Sequence, residues 1–499
     1  MRPAVLGSAA TVVKLLRSVP IVLLTAACVG SGAVDPSTTS STSTTVPTTT
    51  TTTLPDCRPV EPRPPIEVVG TTAPEVSVEL TRLRFPCANE VVITADTLPA
   101  IRAGSALAAE RQVPVLVNGT GIDEELERLG AVTAVWVGLA PAPDFGVDTD
   151  VVPPADITAT LPPVGDASVW VVDGDPDAVP LAEAVAATRG ESVIDVTETD
   201  DLRLLEPDVV DLLRSTERNL VGFTESRRTQ LDLIATGPEL PGGGFTFDGK
   251  RLVAFYGNPT TSALGVLGEQ DPAGTLERLQ PLVEEYSADG LQGIPAFEII
   301  ATVASARAGA DDDYSDEASV ETLRPWVAFA GENGVYVVLD LQPGRTDFLT
   351  QAKRYEELLR LPHVGLALDP EWRLKPDQVH LGQIGTVDAA EINQVSEWLS
   401  AIVRDEGLPQ KFFMIHQFRF SMITNRDRIQ TPPELFTVIQ MDGQGPLPTK
   451  YETYSAITAG QEDVGWHWGW KNFYDEDSPM ATPTQVLAID PVPVFVSFQ

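Results

Sequence analysis

Basic residues are scarce. The 499-residue chain has 34 Lys and Arg against 71 Asp and Glu, a formal charge of −37. Nucleic acid is held by clustered cations, so it is excluded as a partner, whereas this acidity suits a secreted protein that must stay soluble. Only four His are present, with no HExxH and no paired His spacing, so a zinc site is not expected. No Gly-rich phosphate loop, nucleophile elbow or cysteine nucleophile appears, and no cofactor is implied. Long apolar runs are missing as well. Apart from one short stretch near the N-terminus, nothing approaches the roughly 18 residues a spanning helix needs. What is present, 43% hydrophobic residues over this length, is enough to build two or three packed domains.

The first segment, residues 1–28, has Arg2, Lys14 and Arg17 ahead of the apolar run "VPIVLLTAA". That run is too short for a membrane helix and ends in small residues, the pattern of a signal peptide. "LLTAAC" resembles a bacterial lipobox, with Thr25 where Leu is usual. The resemblance implies that Cys28 is lipidated and becomes the mature N-terminus, so that the chain is anchored on the outer side of the membrane; ordinary secretion is the alternative. Residues 29–56 form a linker whose Ser/Thr tract cannot bury a core and reads as a stalk. The exported compartment permits disulfides, and Cys57 and Cys87 are expected to form one.

Residues 57–230 alternate short apolar strands with amphipathic helices. "VVITADTLPAIRAGSALAAERQVPVLV" (91–117) and "VWVVDGDPDAVPLAEAVAATRGESVIDV" (169–196) read as two copies of one strand–Asp turn–helix–strand unit, which implies a parallel sheet with right-handed crossovers. The first copy continues through "LERLGA" and "VWVG" and resembles the cell-wall-binding repeat 2 family. Members attach proteins to anionic wall polymers, usually through three repeats; the resemblance makes a cell-wall polysaccharide the expected partner. The second copy is degenerate and no third is visible. A decayed repeat kept as a spacer is the alternative.

After a Pro/Gly-rich linker (231–250), residues 251–499 have the length of a (β/α)8 barrel. Eight candidate strands can be counted: "LVAFYG" (252–257), "GIPAFEIIATVA" (293–304), "VYVVLDLQ" (335–342), "VGLALDPE" (364–371), "FFMIHQF" (412–418), "FTVIQMD" (436–442), "VGWHWGWK" (464–471) and "VPVFVSF" (492–498). Helical patterns fill most gaps. The expected architecture is therefore α/β, a small parallel-sheet repeat domain followed by a TIM-like barrel, with an open doubly wound sheet as the alternative. The oligomeric state leaves no trace in the sequence.

The carboxyl ends of such strands form the chemical rim of the fold. In the fourth strand small residues set the phase: Gly365, Ala367, Asp369 and Glu371 face the axis. The same reasoning brings in Tyr256, Glu298, Asp340, Gln342, Gln440 and Asp442, with either His416 or Gln417 from a strand whose phase is ambiguous. The seventh strand presents Gly465, His467, Gly469 and Lys471 on one face and Trp466, Trp468 and Trp470 on the other; Lys471 and Trp470 are both candidates for contact with a ligand. Acids, amides and aromatics in one cup suit a sugar, through hydroxyl hydrogen bonds and ring stacking. The end of "GLALDPE" resembles the acidic pair of family 18 chitinases and family 25 lysozymes. That resemblance implies a glycoside hydrolase with Glu371 as general acid and Asp369 as its partner. Two bland readings stand beside it: a turn in which Arg373 pairs with the acids, and a barrel that binds glycan or protein without catalysis. "GADDDYSDEAS" (309–319) imitates the opening of a calcium loop, but lacks the Gly and the closing acid, and reads as a solvated acidic loop.

Overall fold

The computed structural model describes residues 57, 59, 65–159, 168–461 and 464–499, with backbone alone at 188 and 189. The signal segment, the lipobox with Cys28 and the Ser/Thr tract lie outside the described residues. Two compact units divide between Arg228 and Thr229. No described helix is long and apolar enough to cross a membrane.

Among the described residues the first unit has eight strands: β1 (Glu67–Val68), β2 (Glu90–Thr94), β3 (Val115–Val117), β4 (Thr133–Val137), β5 (Asp148–Val152), β6 (Ser168–Val172), β7 (Ser192–Asp195) and β8 (Glu217–Val221). They form two all-parallel sheets, ordered β3-β2-β4-β5 and β7-β6-β8-β1. The expected parallel pairing is present, divided over two sheets. Each copy runs strand–helix–strand–helix–strand, and the three strands of each take the same order, so the copy that is degenerate in sequence keeps the whole topology. Cys57 and Cys87 form the expected disulfide, tying the start of the unit to the turn before β2.

The second unit is a closed barrel. Strands β9 (Lys250–Gly257), β10 (Gln292–Ala304), β12 (Tyr336–Leu341), β13 (Val364–Leu368), β15 (Lys411–His416), β17 (Leu435–Met441), β18 (His467–Asn472) and β19 (Phe495–Phe498) pair in that order, all parallel, and β19 returns to β9. These are the eight strands read from the sequence. Short strand β11 (Ser315–Glu317) adds antiparallel to β10, and β14 (Val387–Asp388) pairs with β16 (Ile423–Thr424) among the loops.

Both faces of the barrel strands are buried, which is why they read as near-continuous apolar runs. Outward side chains such as Val253, Ile299, Leu339, Leu366, Ile415 and Trp470 pack against the helices. The inward set, including Leu252, Ala296, Val338, Ala367, Met414 and Val438, fills the interior as a TIM core does. Phe247 closes the amino end by packing on Tyr336, Phe412 and Phe436. Gly365 is needed in this layer: a Cβ there would lie 2.3 Å from the Phe412 carbonyl oxygen and 3.0 Å from the Tyr336 hydroxyl.

Candidate active site at the carboxyl end of the barrel

Towards the carboxyl ends of the strands the inward positions turn polar. Tyr256, Glu298, Asp340, Asp369, His416, Gln440 and Lys471 continue the inward registers of β9, β10, β12, β13, β15, β17 and β18, and all are buried. His416, not Gln417, faces inward, which settles the phase of β15. Its Nδ1 bonds Asp442 Oδ2 at 3.1 Å. Its Nε2 lies 3.1 Å from Glu298 Oε1, without hydrogen-bond alignment, and 3.6 Å from Asp340 Oδ1. Tyr256 donates its hydroxyl proton to Asp340 Oδ2 (3.0 Å) and accepts from Gln342 Nε2 (3.1 Å). Gln440 Nε2 donates to Ser497 Oγ at 2.7 Å.

Above this layer opens a cleft of about 500 Å³ lined by Asp369, Glu371, Asp442, Glu476 and Lys471, with Trp372, Phe418 and Phe473 as apolar walls. Of the sequence candidates, Tyr256, Gln342, Asp369, Glu371, Asp442 and Lys471 line this cleft; Glu298, Asp340, His416 and Gln440 belong to the polar layer of the barrel. Gln417 and Trp470 lie elsewhere. Gln417 Oε1 accepts from Arg426 Nη1 (2.6 Å), and Trp470 packs outside the barrel on Tyr451 and Tyr454. Arg373 pairs with Glu391 at 2.9 Å rather than with the acids, so the salt-bridged turn is not formed. Asp369 does carry a local role: its Oδ1 accepts from the Glu371 amide (3.1 Å) and caps the turn Pro370–Trp372.

Several wall residues were not singled out from sequence. Phe418, Gln444, Phe473, Glu476 and Gln499 all line the cleft. They sit at strand ends or in loops, where no periodicity marks them. Two of those loops are clamped together by Asp477. Its Oδ2 pairs with Lys450 and accepts from the Phe473 amide (3.0 Å), while its Oδ1 accepts from the Gly445 amide (2.9 Å). On the acidic loop, carboxylate oxygens of Asp311, Asp313 and Glu317 lie within 4.8 Å of one another, with Glu317 also paired to Arg354.

Burial dominates the electrostatics. It raises Asp369 well above the ordinary carboxylate range, with Asp340, Asp442 and Glu371 adding repulsion against the pull of His416. Asp340 is pushed up to about 6 by burial and Glu298, and Glu371 to about 7 by burial and Asp442. Burial works against the imidazolium of His416, but Asp340, Asp442 and Glu298 outweigh it and hold the group well above 6.5.

These shifts share one sign. Each group binds its proton more tightly in the native state than in the unfolded chain, where the acids titrate near 4 and histidine near 6.5. Stability should therefore fall as pH rises from about 4 through 7 and beyond, the reverse of ordinary acid unfolding. By calorimetry we expect Tm to drop on the order of 5 °C between pH 5.5 and 8, and less in Glu371→Gln. A Tm that holds or rises over that range would show the carboxyls ionised in the fold.

No protein-family model matches the chain, and no curated protein does. Among solved structures, Cwp6 from Clostridium difficile aligns at 11% identity with a TM-score of 0.29, over 55% of this chain and 62% of that one. Cwp8 from Clostridium difficile aligns at 12% identity with a TM-score of 0.18, over 68% and 51%. The chain thus spans less than two thirds of either protein, and likeness at this level bears on neither site nor activity.

Proposed function

We propose that the barrel is a glycoside hydrolase acting on a bacterial wall glycan, and that export and the lipid anchor at Cys28 place it outside the membrane. The observation that carries this reading is the convergence of Asp369, Glu371 and Asp442 on one aromatic-walled cleft at the carboxyl end of the strands. Glu371, pushed up to about 7, keeps a proton for the glycosidic oxygen near neutral pH. Asp442, held by His416 Nδ1, faces the same space and serves as the carboxylate that steadies the oxocarbenium-like centre or takes a proton from the attacking water. Trp372, Phe418 and Phe473 offer faces for pyranose stacking.

Around the second copy the structure fits a spacer better than a second glycan site: backbone amides at the turns after β1 and β6, which an anionic polymer would need, are met by the protein's own acids. Asp175 accepts from the Ala73 amide (2.8 Å) and the Asp177 amide (2.9 Å). Glu79 accepts from the amides of Val69 (2.8 Å) and Gly70 (3.2 Å). Arg227 is tied to Asp173 at 2.9 Å.

The test is to incubate residues 56–499 with purified bacterial walls and follow soluble glycan by mass spectrometry. Fragments with new reducing ends are expected. Retention on the walls with no release would leave a binding protein on an enzyme-like barrel.

A further inference from the structure

Three lysines are buried in the second unit: Lys411, Lys450 and Lys471. A buried ammonium has three donors to satisfy and a charge to balance. Lys411 Nζ donates to the carbonyls of Leu361 (2.8 Å) and Val364 (2.9 Å), and burial without a counter-charge pulls it down to about 7; Lys450 Nζ is paired with Asp477 and donates to the Lys471 carbonyl (2.6 Å). Lys471 is different. Among the described residues its ammonium has no hydrogen bond and no carboxylate at ion-pair distance; it rests 3.4 Å from the centre of the Tyr256 ring, whose hydroxyl is already committed to Asp340. Its side chain is the one cation among the described residues that line the cleft, beside the strand that ends at Gln499.

We infer that the cleft takes an acidic glycan and that Lys471 binds a carboxylate carried by the sugar next to the bond cleaved. This rests on the hydrolase reading, since it makes the same cleft the glycan site. One ammonium calls for one negative charge. A more highly charged group would be repelled by Asp442 and Glu476. Among monoanions, a carboxylate concentrates its charge on two oxygens and accepts hydrogen bonds better than a sulfate ester or phosphodiester. The carboxylate has two chemical sources in wall glycans, an ether-linked carboxyalkyl group or a uronic acid.

Binding, separated from turnover, tests this in residues 56–499 carrying Glu371→Gln. The probes are peptide-free strands of N-acetylglucosamine alternating with lactyl-bearing N-acetylmuramic acid, and oligogalacturonate, each beside a carboxyl-reduced counterpart. Titration calorimetry should show that reduction weakens binding of one probe by about 10- to 100-fold, the range of a charge-assisted contact, and the probe affected identifies the source. The difference should disappear when Lys471→Met is added and persist with Lys471→Arg. Acid and reduced forms binding alike, or neither binding, would overturn the inference. Wild-type turnover is read separately: cleavage without carboxylate preference removes only this inference, and preference without cleavage removes only the hydrolase.

Discussion

Glu371→Gln should cut glycan release from walls by about a thousandfold while leaving the protein folded, because a general acid contributes on the order of 10² to 10⁴ in rate. Gln keeps the shape of Glu and loses only the transferable proton. The side chain is partly exposed at the cleft and makes no salt bridge or hydrogen bond among the described residues, so no partner is orphaned by the change. With the acid at about 7, wild-type kcat/KM should hold below neutral pH and fall as pH rises past it, since the ionised form cannot protonate the leaving oxygen. The residual activity of the variant should lack that descending limb. Release that persists in the variant, or a wild-type profile still flat at pH 9, would rule out Glu371 as the acid and move the proton donor to Asp369, which lines the same cleft.

Where the sequence was legible, a physical constraint left one face distinguishable from the other. In β13 the inward residues had to be small, and Gly365 and Ala367 mark that face, so Asp369 could be phased. In β15 both parities are large and apolar, Phe412 and Met414 against Phe413 and Ile415, because one set fills the barrel and the other packs under helices. Nothing local separates His416 from Gln417; only the carboxylates on neighbouring strands do. The Trp residues of β18 misled for a related reason, since Trp serves equally as sugar platform or core filler. Here the interior decides: a Cβ at Gly469 would already lie 3.2 Å from Gln440 Cβ, so the barrel has no room for indoles, and Trp468 and Trp470 turn outward. The repeat domain shows the opposite case. Its second copy lost the sequence pattern, yet alternating strands and helices with the same crossover preserved β7-β6-β8 beside its twin β3-β2-β4.

Replacing His416 should cost more stability than any other single change in the polar layer. Glu298 and Asp340 are buried and Asp442 is partly exposed to the cleft around one imidazolium, and both Glu298 oxygens and one oxygen each of Asp340 and Asp442 lack a hydrogen bond. Removing the shared cation leaves these charges uncompensated, which costs about 3–5 kcal/mol in comparable sites. His416→Gln keeps a donor but not the charge. The pH dependence separates this account from a simple packing defect. Below about 6.5 wild-type His416 is protonated both folded and unfolded, so its contribution is fully present, and it fades only as pH climbs through the raised native value. The variant has no such cation; to fold, Asp340, already held above the ordinary carboxylate range by burial, must take up a proton that the unfolded chain has released. That uptake becomes harder as pH rises above the ordinary carboxylate range. The loss should therefore be small near pH 4.5, grow to its full size by about 6.5 and then level off. Urea unfolding at pH 4.5 and 7 measures it directly: a loss equal at both, or larger at 4.5, would mean that the imidazole is not the charge that holds the three acids together.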